Sequence, residues 1–357
     1  MKDKKALVLK LRDSAQVLNV VPSAKSFIVN GTSLVAVPHR TEETRLLRNL
    51  GYNAPAPIRT YYDWPGRFTP FHAQKEAAAF LSMHKRAFNL SELGTGKSLA
   101  SLWAYDYLKS IGLLNKCLII SPLSTLERTW ADELFNHFPH LTFAVLHGSK
   151  DKRIKLLKED FDVYIVNHDG VGILEPHLKN RTDIDLVIVD EIAQCARNAG
   201  TTRWKQINLV VNRHKEPRSC WGMSGTPTPN APTDAWAQCR LINPASVPPY
   251  FNRFKGTVMK QLSQFQWIAR PEATQIVKNV MQPSVRFTRD ECLDLPPLMY
   301  ETRVVTLTPE QNKAYKEMLT RLSIQADEGE ITAVNEAVKM AKLVQIACGV
   351  VYATDGT

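Results

Sequence analysis

The stretch Ser91-Glu92-Leu93-Gly94-Thr95-Gly96-Lys97-Ser98 constrains this chain more than any other. It sets two glycines, a lysine and a hydroxyl in the order a backbone loop needs to wrap a triphosphate, the P-loop or Walker A pattern. Glycines at 94 and 96 let the amide N–H groups turn inward around Leu93 and Thr95. Lys97 reaches the outer phosphates, and Ser98 opens a helix while offering its oxygen to Mg²⁺. The strict pattern has Gly or Ala where Ser91 stands. The flanks suit a strand, loop and helix in succession: Ala87-Phe88-Asn89-Leu90 reads as a short strand and Leu99–Ala104 as a helix. The plain alternative is a glycine-rich turn with no ligand, and a second stretch weighs against it.

Leu186-Val187-Ile188-Val189-Asp190-Glu191 is that stretch. Four apolar residues in a row predict a strand covered on both faces, as in a parallel sheet, and the acid pair then falls at the edge where phosphates bind. The expected roles are Asp190 on Mg²⁺ through water and Glu191 orienting or deprotonating the attacking water. A surface acid pair after a strand would look the same taken alone.

A length of 357 residues admits two domains and a well-buried core. The formal charge of +10 favours a polyanionic partner such as nucleic acid. Six cysteines, at 117, 195, 220, 239, 292 and 348, form no pair or His cluster of zinc spacing, so neither a disulfide frame nor a metal knuckle is indicated. A reducing cytoplasm fits that usage. The apolar run Ala6–Leu9 is too short for a secretory core, and no span approaches membrane length.

Along the chain, Ser26–Val29, Asn30-Gly31 and Ser33–Val37 predict a β-hairpin, and Thr41 a helix cap with Gly51 ending the helix. Residues 1–60 read as a small α+β accessory domain. A Pro-rich and aromatic linker leads to Gln74, at the head of an Ala-rich helix running to about Lys85. An amide upstream of a P-loop can present carbonyl and N–H to an adenine edge. Lys116–Pro122 is a further buried strand, with Ser124 or Thr125 opening the next helix, whose N-terminus is a phosphate site. Thr142–Leu146 and Phe161–Asn167 are two more strands, the second opening onto His168; the charge run Lys150–Arg153 reads as a solvated face. The alternation predicts an α/β lobe over 61–245 with a parallel sheet whose carboxyl edge carries Gln74, Lys97, Asp190 and Thr226. A helical extension follows over 246–300, its aromatics Tyr250, Phe251, Phe254, Phe265 and Trp267 read mostly as core.

In this order the pieces resemble the first RecA-like lobe of superfamily 2 helicases, and most closely Swi/Snf-type double-stranded DNA translocases. Glu92–Ser98 is similar to that family's ATP loop, Leu118–Pro122 with Trp130 and Glu133 to its first DNA-contacting motif, and Val163–Asn167 to its second. Asp190-Glu191 resembles the Asp-Glu-x-His box, and Ser224-Gly225-Thr226-Pro227 the Thr-Gly-Thr-Pro motif that couples the lobes. The likeness runs on through Val285–Asp290, Leu295-Pro296-Pro297 and Thr308–Gln311, about residues 68 to 350 in all.

The resemblance implies ATP and Mg²⁺ held by Gln74, Leu93–Ser98 and Asp190. It also implies double-stranded DNA held at its phosphates by Pro122, Thr125, Asn167, His168, Arg197 and Asn198. Two departures qualify it. Ala193 stands where the box has His, with Gln194 as a substitute, and residues 301–357 are expected to lead towards a second RecA-like lobe that these 357 residues do not include. That lobe supplies an arginine finger, so these residues alone are expected to bind nucleotide and turn it over poorly. The other readings are a strand-separating helicase on DNA or RNA, and a non-catalytic module gated by nucleotide. The compact build resembles motors of bacteria and their phages, which implies a bacterial or host cytoplasm.

Overall fold

The computed structural model describes the chain apart from residues 1–4, 180, 213–217, 265, 293–300, 303, 322, 327–328, 333–335 and 351–357. Leu295-Pro296-Pro297 and Phe265 therefore lie outside the described residues. The chain divides into two units, residues 1–295 and 296–357.

The first unit is built on a seven-stranded sheet, all of whose recorded pairings are parallel. From edge to edge its strands are Ser284–Val285, Arg86–Asn89, Ser219–Met223, Ile184–Val189, Lys116–Ser121, Val163–Asn167 and Phe143–Val145. Side chains alternate across a strand, so each apolar run feeds two cores. Leu186 and Ile188 join Ile119, Ile165 and Trp221 on one face, under the helices His72–Met83 and Lys97–Ser110. Val187 and Val189 join Ile120, Val166 and Cys220 on the other, under Val171–Leu178, Thr202–Asn212 and Asp234–Ile242. All four residues Leu186–Val189 are fully buried. That is why the run reads as continuously apolar rather than alternating.

The N-terminal hairpin is present, Lys25–Val29 pairing with Thr32–Pro38. Asn30 and Gly31 both take positive φ, 46° and 75°, the conformation a two-residue hairpin turn demands. Ala6–Leu9 adds a third strand, and Val17, Val35, Val37 and Leu47 close a separate small core. Helix Thr41–Asn49 is flanked by Arg40 rather than capped by Thr41, whose hydroxyl instead meets the Tyr107 hydroxyl at 3.3 Å. With Arg45 donating to the carbonyls of Ser82 and Met83, that contact fastens the small core to the lobe.

The segment after 245 holds helices Phe251–Val258 and Ala273–Val280, with Phe254 in the core and Tyr250 and Phe251 exposed. Its return to the sheet through Ser284–Val285 is additional to the sequence reading. In the second unit, helices Pro309–Arg321 and Glu336–Ala347 pack through Met318, Leu343 and Ile346, and a hairpin of Ser323–Ala326 and Gly329–Thr332 lies between them in sequence.

Candidate functional site

Parallel strands deliver their C-terminal ends to one edge, and the candidate residues collect there. After Asn89 the chain turns through Ser91–Gly96 and enters the 14-residue helix Lys97–Ser110. Gly94 and Gly96 have φ of 84° and 77°, which a side chain adopts only under strain. At Gly96 a methyl group would also stand 2.0 Å from the Gln74 amide nitrogen, so that amide would have to move aside. The Glu92 carbonyl accepts from Lys97 Nζ at 3.0 Å and from Thr95 Oγ1 at 2.8 Å. Lys97 is 9% exposed, and burial pulls its pKa down against the opposing fields of Glu191, Asp190 and Glu92.

Ser91, the departure from the strict loop pattern, has a task. Its hydroxyl accepts the Phe287 N–H at 3.1 Å, beside backbone bonds from Leu90 to Val285 and from Glu92 to Phe287. Segment 284–289 thus braces the loop, and the Glu92 carboxylate adds contacts to the Arg289 N–H and the Arg286 guanidinium.

Asp190 ends its strand 7% exposed. Its Oδ1 accepts the Glu191 N–H and its Oδ2 the Trp130 indole N–H, each at 3.0 Å. Burial raises its pKa while these donors and Lys97 oppose the rise. Glu191 has a positive φ of 45°, the kind of local strain that gathers at functional sites. Its carboxyl pKa is raised by burial and by Asp190, and lowered by Lys97 and by Ser224, whose hydroxyl lies 3.5 Å from Oε2. The Ser224 hydroxyl also receives the Thr226 N–H, and Gly225 packs on the backbone of Leu93. Loops 91–98, 190–191 and 224–226 therefore meet; Leu93 and Thr226 are exposed at their rim.

Gln74 lies at this junction, its carbonyl oxygen accepting the Phe71 N–H at 2.9 Å and its amide nitrogen beside Gly96. Pro122 and Thr125 are half-buried on the neighbouring loop, and Asn167 accepts from Arg153, which the sequence reading had left outside the site. Arg197 and Asn198 are exposed on a rim about 590 Å³ in cavity volume, lined also by Asn230, Trp236 and Phe251. His168 differs from expectation. It is 4% exposed, and its Nε2–H donates to the Asp190 carbonyl at 2.9 Å, so an imidazole reaches the acid box from this loop and not from position 193. Gln194 is exposed. Trp130 as the partner of Asp190 was missed; only its place in a resembling motif singled it out.

The loop, the N-terminus of a long helix and a buried lysine fit a nucleotide's phosphates, with open space beside Gly94. Among the described residues no group of three or more His, Cys, Asp or Glu could hold a metal alone. Ser98 and Asp190 suit Mg²⁺, which takes few protein ligands and completes its shell with phosphate and water.

A parallel sheet with this loop and acid pair defines the class of P-loop nucleotide-binding lobes. Residues 73–348 match the family described as SNF2-related domain, and the chain belongs to it as a Swi/Snf-like superfamily 2 ATPase lobe. It is 27% identical over 304 residues to protein p41 of Acyrthosiphon pisum secondary endosymbiont phage 1, covering 81% of this chain and 65% of that one. It is 26% identical over 290 residues to the Drosophila melanogaster homolog of SWI/SNF-related matrix-associated actin-dependent regulator of chromatin subfamily A containing DEAD/H box 1, covering 74% of this chain and 33% of that protein. The Sulfolobus solfataricus SWI2/SNF2 ATPase core, solved in complex with dsDNA, shares the fold with a TM-score of 0.53 at 22% identity, over 79% of this chain and 59% of that one. The chain thus spans less than two thirds of each of these relatives.

Proposed function

We propose that this chain is the ATP-binding lobe of a motor that couples ATP hydrolysis to movement on double-stranded DNA. The observation that carries the reading is the buried Lys97 amine in the combined field of Glu191 and Asp190, at the mouth of a glycine-turned loop. Inward-turned amides of Gly94–Ser98 and the helix N-terminus would receive the phosphates, and Lys97 would neutralise their outer charge. Ser98 and Asp190 would hold Mg²⁺, which when bound draws charge from the phosphate oxygens. Glu191 orients the attacking water, and its raised pKa makes it the better base. Ser224 fixes the Glu191 carboxylate from the loop expected to report to a second lobe.

Nucleic acid is assigned to the same sheet edge, at Pro122–Thr125, around Asn167, and at Arg197 and Asn198. The net charge of +10 and the family membership support a duplex held by its phosphates. Among the described residues no helix is long and apolar enough to cross a membrane. The test is equilibrium binding of Mg·ATP and of a random-sequence duplex at two salt concentrations. Lys97→Ala should lose nucleotide and keep the duplex, whose affinity should fall steeply with salt. Undiminished nucleotide affinity in Lys97→Ala, or salt-independent duplex binding, would refute the reading.

A further inference from the structure

The cavity of about 590 Å³ beside Arg197 and Asn198 falls within the roughly 300–1,000 Å³ of ligand sites, and its lining is unlike that of the nucleotide loop. Two aromatic rings face it: Trp236, in the helix Asp234–Ile242, and Phe251, which opens the helix Phe251–Val258. Their centroids are 5.6 Å apart and their planes cross at 72°. The Trp236 indole N–H donates to the Pro248 carbonyl at 2.8 Å, so that ring has no polar group left to offer and presents only its π surface. Phe251 belongs to a cluster that the sequence reads mostly as core. Phe254, one turn further on, is core, yet Phe251 is 40% exposed, an apolar ring that folding leaves facing solvent.

Polar groups complete the lining. The Asp234 carboxylate is committed, accepting the N–H groups of Asn230 and Ala231 and so pinning their loop. Asn198 Oδ1 accepts the Gly200 N–H at 2.8 Å, which leaves its amide nitrogen to donate. The Asn230 carboxamide and the Arg197 guanidinium are exposed, and neither has a hydrogen bond or ion pair among the described residues. Ring faces, two carboxamides and an unpaired cation are what a nucleotide unit in a strand requires: a surface to stack on, donors and acceptors for the base edge, and positive charge for its phosphate. An apolar helix or a neutral small molecule would leave Arg197 and both amides without partners. The surrounding charge agrees with a polyanion. Residues 246–285 hold five basic side chains, Arg253, Lys255, Lys260, Arg270 and Lys278, against the acid Glu272, and the helix that brings Phe251 to the cavity carries the first two.

We propose that this cavity is a nucleobase site, taking one unstacked base of a strand held at the carboxyl edge, so that a duplex with an extruded base is bound more tightly than a perfectly paired one. The inference rests on the nucleic-acid assignment above and adds to it the form of DNA preferred. A base inside an intact stack has no free face, whereas a bulged base enters without the cost of unpairing.

Fluorescence anisotropy of the whole chain with two labelled duplexes of one sequence, perfectly paired or carrying a single bulged thymine, tests this. Wild type should favour the bulged duplex by about fivefold or more, the worth of one base stacked on an aromatic ring. Phe251→Ala should bring the ratio below about twofold, and Phe251→Tyr, which keeps a ring, should retain it. Thermal unfolding and Mg·ATP affinity check that each variant is folded. A 4-thiothymine at the bulge should crosslink on irradiation to the peptide of Trp236 or of Phe251, which decides the matter if Phe251→Ala fails to fold. A wild-type ratio of one, or crosslinks confined to other peptides, would overturn the proposal. So would a preference that survives in folded Phe251→Ala, which would assign it to the flexibility of bulged DNA. Failure of wild type to bind either duplex would instead remove the nucleic-acid reading, and this inference with it.

Discussion

The two edges of the central sheet bury charge in opposite ways. At the amino edge, Arg218 is 4% exposed and donates to the carbonyls of Ile184, Val210, Leu178 and Arg181. Around it, Lys116 pairs with Asp160 and Asp183, and Arg181 with Asp183. A cavity of about 440 Å³ there is lined in part by these paired groups, Lys116, Asp160, Arg181 and Asp183. At the carboxyl edge, Lys97 has a single carbonyl within hydrogen-bond reach among the described residues, and the pKa values of Lys97, Asp190 and Glu191 are all pushed against their charged forms by burial. Matched burial builds the fold. Incompletely matched burial is what a site for a charged ligand requires, because the ligand completes the pairing.

Substitutions can break that contrast. Arg218→Leu should cost at least about 3 kcal/mol of unfolding free energy, since each buried carbonyl left without its donor costs about 1–3 kcal/mol; chemical denaturation measures it, and the folded fraction should still bind nucleotide. Lys97→Ala should do the reverse, lowering Mg·ATP affinity by about 100-fold, or about 2.7 kcal/mol. Its folded-state pKa is depressed by burial, so the charge opposes folding and its removal should leave the unfolding midpoint unchanged or higher. An equal loss of stability in both variants would erase the distinction between the edges.

Gly96→Ala sharpens it locally, combining left-handed backbone strain of about 1–2 kcal/mol with displacement of the Gln74 amide. Nucleotide affinity should fall more than stability. The smallest effect belongs to Asp183, whose pKa Arg181 lowers to about 2. A depressed carboxylate contributes stability above its unfolded pKa, near pH 4, and loses it as pH falls towards the folded value. Asp183→Asn should therefore flatten the decline in stability between about pH 4 and pH 2 by less than about 1 kcal/mol, the pair being partly exposed.

Much of the carboxyl edge could be read in the chain, because glycines at fixed spacing and a doubly buried strand have few other uses. Gly94, Gly96, Lys97 and the run Leu186–Glu191 came from local pattern, as did the Asn30-Gly31 hairpin. What stayed hidden depends on long-range contacts. Ser284–Val285 is only two residues long and pairs with a strand almost 200 positions earlier. The inward turn of His168, the Trp130 contact with Asp190 and the Ser91 contact with Phe287 leave no periodic trace. Arg218 carries no local signal of burial, and the four carbonyls it meets, of Leu178, Arg181, Ile184 and Val210, come together only in the fold.

The central claim is that one magnesium nucleotide is shared by the loop of Lys97 and the strand end of Asp190. Calorimetric titration of ATP into wild type and Asp190→Asn, each in MgCl₂ and in EDTA, tests it most directly. Magnesium should strengthen binding in wild type and give no such gain in Asp190→Asn, with affinities in EDTA similar for the two proteins. An equal magnesium gain in both would contradict the account.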